Sequence, residues 1–209
     1  MKEERSLSNA PETLANIYPK KRGSCQTRVM NKKTEATAFE LNRNQAPAYW
    51  EVDILWLLLA AGEQTGGAFS QLEQLCPNNS GPPPHTHTQT ENFYVLEGEI
   101  TFLIEGKRLV GTKGSFVTVP PGTVHSFRVD SETALILNTY VPAGFELMIT
   151  ELGEPALERA LPPPGRPFQH SPEEVARVVE RSGMKWLDMP DTLRQAADPR
   201  MQVPLPRDH

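Results

Sequence analysis

Residues 81–99 read GPPPHTHTQTENFYVLEGE, and the fold is decided by how this stretch is read. Side chains of a β-strand alternate between its two faces, so His85 and His87 point the same way, and Glu91 keeps that parity in an unbulged strand. The same parity sends Phe93 and Val95 to that face, giving a polar cluster with an apolar floor behind it. A second stretch, residues 114–129, reads GSFVTVPPGTVHSFRV. There Pro120-Pro121-Gly122 predicts a tight turn, and His125 opens a new strand with Phe127 and Val129 on its own side. Where the two strands cross, His125 completes a set of three histidines and one carboxylate.

Working outward, residues 49–140 are a succession of short apolar or alternating runs at 50–60, 67–76, 91–97, 99–105, 107–112, 115–119, 124–129 and 133–140. Short strands at this even spacing, with turns at Glu97-Gly98, Glu105-Gly106 and Pro120-Pro121-Gly122, predict an all-β antiparallel sandwich or barrel. Beyond Tyr140 the pattern turns helical. Phe145, Met148 and Leu152 predict a short amphipathic helix capped by Gly153, and Ser171-Pro172-Glu173-Glu174 is a capping box opening a second helix over 172–182. Residues 1–45 are read as a polar arm, 46–155 as the barrel, and 156–209 as a Pro-rich and helical extension whose last twenty residues wrap the surface.

The histidine spacing resembles the cupins. The usual first cupin motif, G(X)5HXH(X)3-4E(X)6G, is matched by His85, His87, Glu91 and Gly98, with Asn79 where its opening glycine falls and Gly81 two residues later. The second, G(X)5PXG(X)2H(X)3N, is matched by Gly114, Pro120, Gly122 and His125, with Val129 in place of the final Asn. Fifteen residues separate Gly98 from Gly114, the minimal spacing of small single-domain cupins. The strings ENFYVLEGE and VPAGFE further resemble the quercetin 2,3-dioxygenase-like branch. That resemblance implies a jelly-roll barrel with short C-terminal helices and a metal bound by His85, His87, Glu91 and His125. It also implies a flavonol held through its 3-hydroxyl oxygen, Glu91 taking the proton, and ring opening by O2 with release of carbon monoxide.

Two histidines on one strand are by themselves more often surface or core than ligands; the added carboxylate and the distant Pro-x-Gly-x-x-His reverse that preference. Neutral imidazoles with one carboxylate suit Fe, Mn, Ni, Co or Cu and leave a coordination position open, whereas a structural zinc site favours Cys and a closed shell. Phe93, Phe102, Phe127, Phe145 and Met148 are candidates to line an aromatic substrate's pocket, against the plainer reading of each as barrel core. Tyr94 and Tyr140 are read as equally compatible with structural roles, and His170 and His209 as surface residues. Besides the dioxygenase, the same ligand set admits a redox-neutral isomerase or decarboxylase and a non-catalytic small-molecule-binding module.

Composition narrows the partners. The net charge of −5 conceals nine Lys/Arg against five Glu over residues 1–43, and 12 against 21 acidic residues over 44–209. An acidic body excludes nucleic acid as the main partner, because phosphate neutralisation needs a basic face. Twenty prolines in 209 residues exclude coiled coils and helical repeats. The strongest apolar run, residues 54–61, is far short of the ~20 needed to cross a bilayer and reads as a buried strand. Cys25 and Cys76 form neither a CxxC pair nor a disulfide framework, and no signal peptide is evident, so a cytoplasmic protein with reduced thiols is expected. The 54–60 run, with Trp50 and Trp56 nearby, is expected to offer an edge for homodimer formation.

Overall fold

The computed structural model describes residues 35–187. Most of the 1–45 arm, the Pro-rich end, Cys25 and His209 lie outside the described residues. In chain order the elements are β1 (Ala48–Glu51), β2 (Ile54–Ala60), β3 (Ser70–Pro77), β4 (His85–His87), β5 (Thr90–Glu97), β6 (Glu99–Ile104) and β7 (Lys107–Thr112). There follow β8 (Phe116–Val119), β9 (His125–Val129), β10 (Thr133–Val141), α1 (Glu146–Leu152), β11 (Glu154–Pro155), α2 (Pro172–Arg181) and β12 (Met184–Trp186). They form two antiparallel sheets of a jelly roll, ordered β11-β1-β2-β3-β10-β5-β8 and β12-β4-β9-β6-β7. Among the described residues no helix is long and apolar enough to cross a membrane.

The alternation that predicts the strands also fills the core. Leu72 and Cys76 of β3, Phe93 and Val95 of β5, Ile100 and Phe102 of β6, Phe127 and Val129 of β9, and Ala134 and Ile136 of β10 are all buried between the sheets. The 50–60 run, expected as one strand, is a hairpin turning at Val52-Asp53. Its second arm is apolar at nearly every position because both faces are covered. Ile54, Trp56 and Leu58 join the main core, while Leu55 and Leu57 pack with Ala46 and Trp50 into a second cluster.

That arrangement corrects the expected pairing surface. β2 is hydrogen-bonded to β1 on one side and β3 on the other, so it is no edge strand, and Trp50 and Trp56 are 8% and 5% exposed. The apolar run is consumed within the chain.

Both expected helices are present. α1 buries Met148, Ile149 and Leu152, and ends at Gly153. Gly153 is the expected C-terminal cap, its N–H donating to Ile149 O (3.0 Å), with an extended backbone (φ −79°); glycine suits the position because a Cβ would lie 2.4 Å from the Ile149 carbonyl oxygen and 3.1 Å from Tyr49. α2 opens with the full capping box, Ser171 Oγ accepting from Glu174 N–H (3.2 Å) and Glu174 Oε2 accepting from Ser171 N–H (2.9 Å). Its valines, Val175, Val178 and Val179, are buried in the main core. Past Gly183 the chain enters β12, a three-residue strand not expected from the sequence, which pairs Met184 with His87 and Trp186 with His85. The C-terminal segment therefore supplies the edge strand beside the histidines.

Candidate metal centre

His85, His87, Glu91 and His125 converge in the barrel interior. Each is at most 3% exposed, and their candidate ligand atoms all lie within 4.8 Å of one another. The route by which they meet differs from a single unbulged strand. His85 and His87 belong to the five-stranded sheet, whereas Glu91 belongs to the seven-stranded one, the chain crossing between sheets at Thr88-Gln89. Inward parity survives because Gln89 is tucked inside, its Nε2 donating to Ser182 O (2.8 Å), while Thr88 N–H donates to Gly183 O (3.1 Å). His125 arrives from β9, where it lies directly opposite His85 in the register. The turn preceding it is tied to the first motif, Gly122 N–H donating to His87 O at 2.8 Å.

Asn79, standing where the motif has glycine, adopts a left-handed conformation (φ +63°) that asparagine tolerates better than most residues. Gly81, two residues later, lies so close to β9 that a Cβ would fall 1.9 Å from Phe127 O. The loop thus keeps both the left-handed residue and the close approach at separate positions.

The orientation of the imidazoles bears directly on ligation. Nδ1 of His85, His87 and His125 faces the carbonyl oxygens of Pro83, Gln89 and Thr123, each at 2.9 Å. A carbonyl only accepts, so each Nδ1 carries a proton, and Nε2 is the atom turned to the site. Nε2 of His87 and His125 lie 2.9 and 3.1 Å from Glu91 Oε2. This donor set fits a divalent ion: with Nδ1–H committed to backbone carbonyls, an ion taking the place of the Nε2 protons would meet imidazole nitrogens and a carboxylate oxygen converging on it. Burial, followed by the charge of His125, pulls the His85 imidazole down to about 3, so it is neutral at pH 7. Burial alone would raise Glu91, but the hydrogen bonds from His125 and His87 outweigh it and hold the carboxyl below its usual range. Burial opposes the charge on His125, and the hydrogen bond to Glu91 reverses that and raises it.

The other oxygen, Glu91 Oε1, accepts from Asn138 Nδ2 (2.7 Å) and Tyr140 OH (2.6 Å). Both residues sit at inward positions of β10, where Tyr140 is directly across from Glu91. Burial and the negative charge of Glu91 push the Tyr140 hydroxyl well up, keeping it a donor. Asn138 was not among the expected site residues, and Tyr140 was not distinguished from a structural tyrosine. The available signal was a polar residue at an inward position of an otherwise apolar strand, beginning Ala134 and Ile136.

The five aromatic and methionine candidates separate in space. Phe93, Phe102 and Phe127 pack on one another with ring centroids 5.0 to 6.1 Å apart, as the floor of the barrel core. Phe145 instead stacks on Tyr140 (4.0 Å, 9° between planes) and meets the His87 ring edge-on at 6.2 Å. Met148 is buried in the main core. Trp186, from the unexpected strand, stands 5.6 Å from the His85 ring. His170 lies outside the cluster, near Leu152 O.

Residues 71–141 match the family model described as Cupin domain. The chain carries a cupin domain. Within the curated proteins it is 36% identical over 104 residues to quercetin 2,3-dioxygenase of Bacillus subtilis (strain 168), covering 49% of this chain and 31% of that protein. The chain thus spans about a third of the length of the curated relative it matches. Its solved neighbours include an RmlC-like cupin from Shewanella frigidimarina, with TM-score 0.46, 19% identity, and 53% of this chain and 95% of that one covered. The polyketide cyclase RemF from Streptomyces resistomycificus is another, with TM-score 0.45, 18% identity, and coverage of 61% and 83%.

Proposed function

We propose that this cupin is a metal-dependent dioxygenase that opens a flavonol-like or other aromatic small molecule with O2, using one divalent transition metal per chain held by His85, His87, Glu91 and His125. The observation that carries the metal reading is the shared ring orientation: three buried imidazoles commit Nδ1–H to backbone carbonyls, Nε2 of His87 and His125 meets Glu91 Oε2, and the candidate ligand atoms of all four residues lie within 4.8 Å of one another. Similarity to quercetin 2,3-dioxygenase over 104 residues supports the reaction class. Bound there, the metal would offer an open position to a substrate oxygen and to dioxygen.

The chain's own residues orient and deprotonate the substrate. Phe145, held flat against Tyr140, and Trp186 beside His85 supply aromatic faces near the imidazoles that suit a planar ring. Glu91 takes the proton of the substrate hydroxyl. Because Oε1 already accepts from Tyr140 and Asn138, ligation and proton acceptance both fall on Oε2. The barrel over 46–155 carries the ligands, the 156–209 extension adds β12 beside them, and the protein acts in the cytoplasm as a homodimer.

Oxygen uptake on adding a flavonol to metal-loaded protein tests this reading. Uptake that depends on both metal and flavonol is expected. Flavonol binding or turnover without uptake would replace it with the redox-neutral enzyme or the binding module.

A further inference from the structure

Behind Glu91 a line of buried polar side chains crosses the seven-stranded sheet from β3 through β10 to β5. Cys76 Sγ donates to Gln74 Oε1 (3.3 Å), Gln74 Nε2 to Asn138 Oδ1 (2.5 Å), and Asn138 Nδ2 to Glu91 Oε1 (2.7 Å). Exposure along this line is 0% at Cys76, 1% at Gln74, 0% at Asn138 and 3% at Glu91. Four polar groups with no route to water are costly in a barrel this small unless every one is paired.

The direction of the line is forced from one end. A carboxylate only accepts, so Asn138 must present Nδ2 to Glu91. Its Oδ1 then faces Gln74 and requires the Gln74 amide nitrogen. That leaves Gln74 Oε1 to the thiol, which is a donor. Every hydrogen in the line points toward Glu91, and the Tyr140 hydroxyl adds a second donor to the same oxygen.

We propose that Asn138 and Tyr140 are positioning residues that fill Glu91 Oε1, with Gln74 positioning Asn138 in turn, and that together they hold Glu91 as a single-oxygen ligand with Oε2 alone offered to the metal. Gln74 touches neither metal ligands nor substrate and acts by fixing which way the Asn138 amide faces. The inference rests on the metal reading of the four-residue cluster. Outer hydrogen-bond partners of metal ligands are worth about 10- to 100-fold in affinity.

The test is titration of the metal-free full-length protein with cobalt(II) alone, reading both affinity and the visible d–d spectrum, with the melting temperature of each metal-free variant measured alongside. Tyr140→Phe, which keeps the ring stacked on Phe145, is expected to weaken cobalt binding by about 10- to 100-fold and to shift the spectrum. Gln74→Met, which keeps volume and lies away from the ligands, is expected to change both in the same direction by about tenfold or less. Asn138→Leu combined with Gln74→Met should cost no more than Asn138→Leu alone, because both interrupt one line of bonds. Variants that melt earlier yet bind cobalt with wild-type affinity and spectrum would overturn the positioning role while leaving the metal reading intact. A wild-type protein that takes up no cobalt would overturn both.

Discussion

Replacing Glu91 by Gln changes a single atom's chemistry, and the structure sets what that change costs. Glu91 Oε2 faces the imidazoles and Oε1 faces the donors of Asn138 and Tyr140, at 2.7 and 2.6 Å. A glutamine that gives its oxygen to a metal must turn its NH2 toward Asn138 Nδ2, placing two donors against each other. Asn138 cannot simply flip, because its Oδ1 already accepts from Gln74. A buried donor left without a partner costs about 1–3 kcal/mol, which corresponds to about a 5- to 150-fold loss in metal affinity. Turnover per bound metal should fall further, by the ~10²- to 10⁴-fold characteristic of a lost general base. Metal affinity by titration and oxygen consumption, measured on one Glu91→Gln preparation, separate the two effects. Unchanged affinity would refute the donor-against-donor argument. Near-normal turnover per bound metal would refute Glu91 as the base.

Other consequences concern the frame around the site. Ser171→Ala removes the N-cap of α2 and should cost about 1 kcal/mol of stability in denaturant or thermal unfolding. Glu174 is held below its usual range, first by the backbone hydrogen bond at Ser171. Its contribution is therefore present above the unfolded value of 4.5 and is lost as pH falls through the lower folded value. The melting-temperature gap between wild type and Glu174→Gln should accordingly narrow on acidification, and a gap that widens would contradict this. Gly81→Ala forces a Cβ against Phe127 O from a positive φ of 150°, and should destabilise by about 1–3 kcal/mol from backbone strain alone. A Gly81→Ala protein with wild-type stability would show that the close approach to β9 relaxes freely.

The four-residue cluster was legible in the sequence because its spacing is local. His85, His87, Glu91 and the Pro120-x-Gly122-x-x-His125 string each occupy a few consecutive positions, and strand parity brings their side chains inward even across the change of sheet at Thr88-Gln89. The line behind Glu91 was not legible in that way. Gln74, Asn138 and Glu91 meet because β10 lies between β3 and β5, and sequence order contains no statement of that neighbourhood. The apolar run at 54–60 was rightly read as buried, yet its lack of alternation also implied cover on both faces, which argues against a free edge. Gly153 was legible as the cap from its place after an apolar stripe, but the reason only glycine fits there, crowding by Ile149 O and Tyr49, depends on packing between α1 and β1. β12 is too short for any period to show, and only pairing with β4 makes it a strand.

The central claim is that the buried cluster holds a metal. Elemental analysis of purified wild-type protein against the His85→Ala/His87→Ala double variant, prepared identically, tests it most directly. The expected result is a divalent transition metal near one equivalent per chain, about the occupancy of a single ligand set, and its loss in the variant. Equal metal in the two proteins would contradict the account.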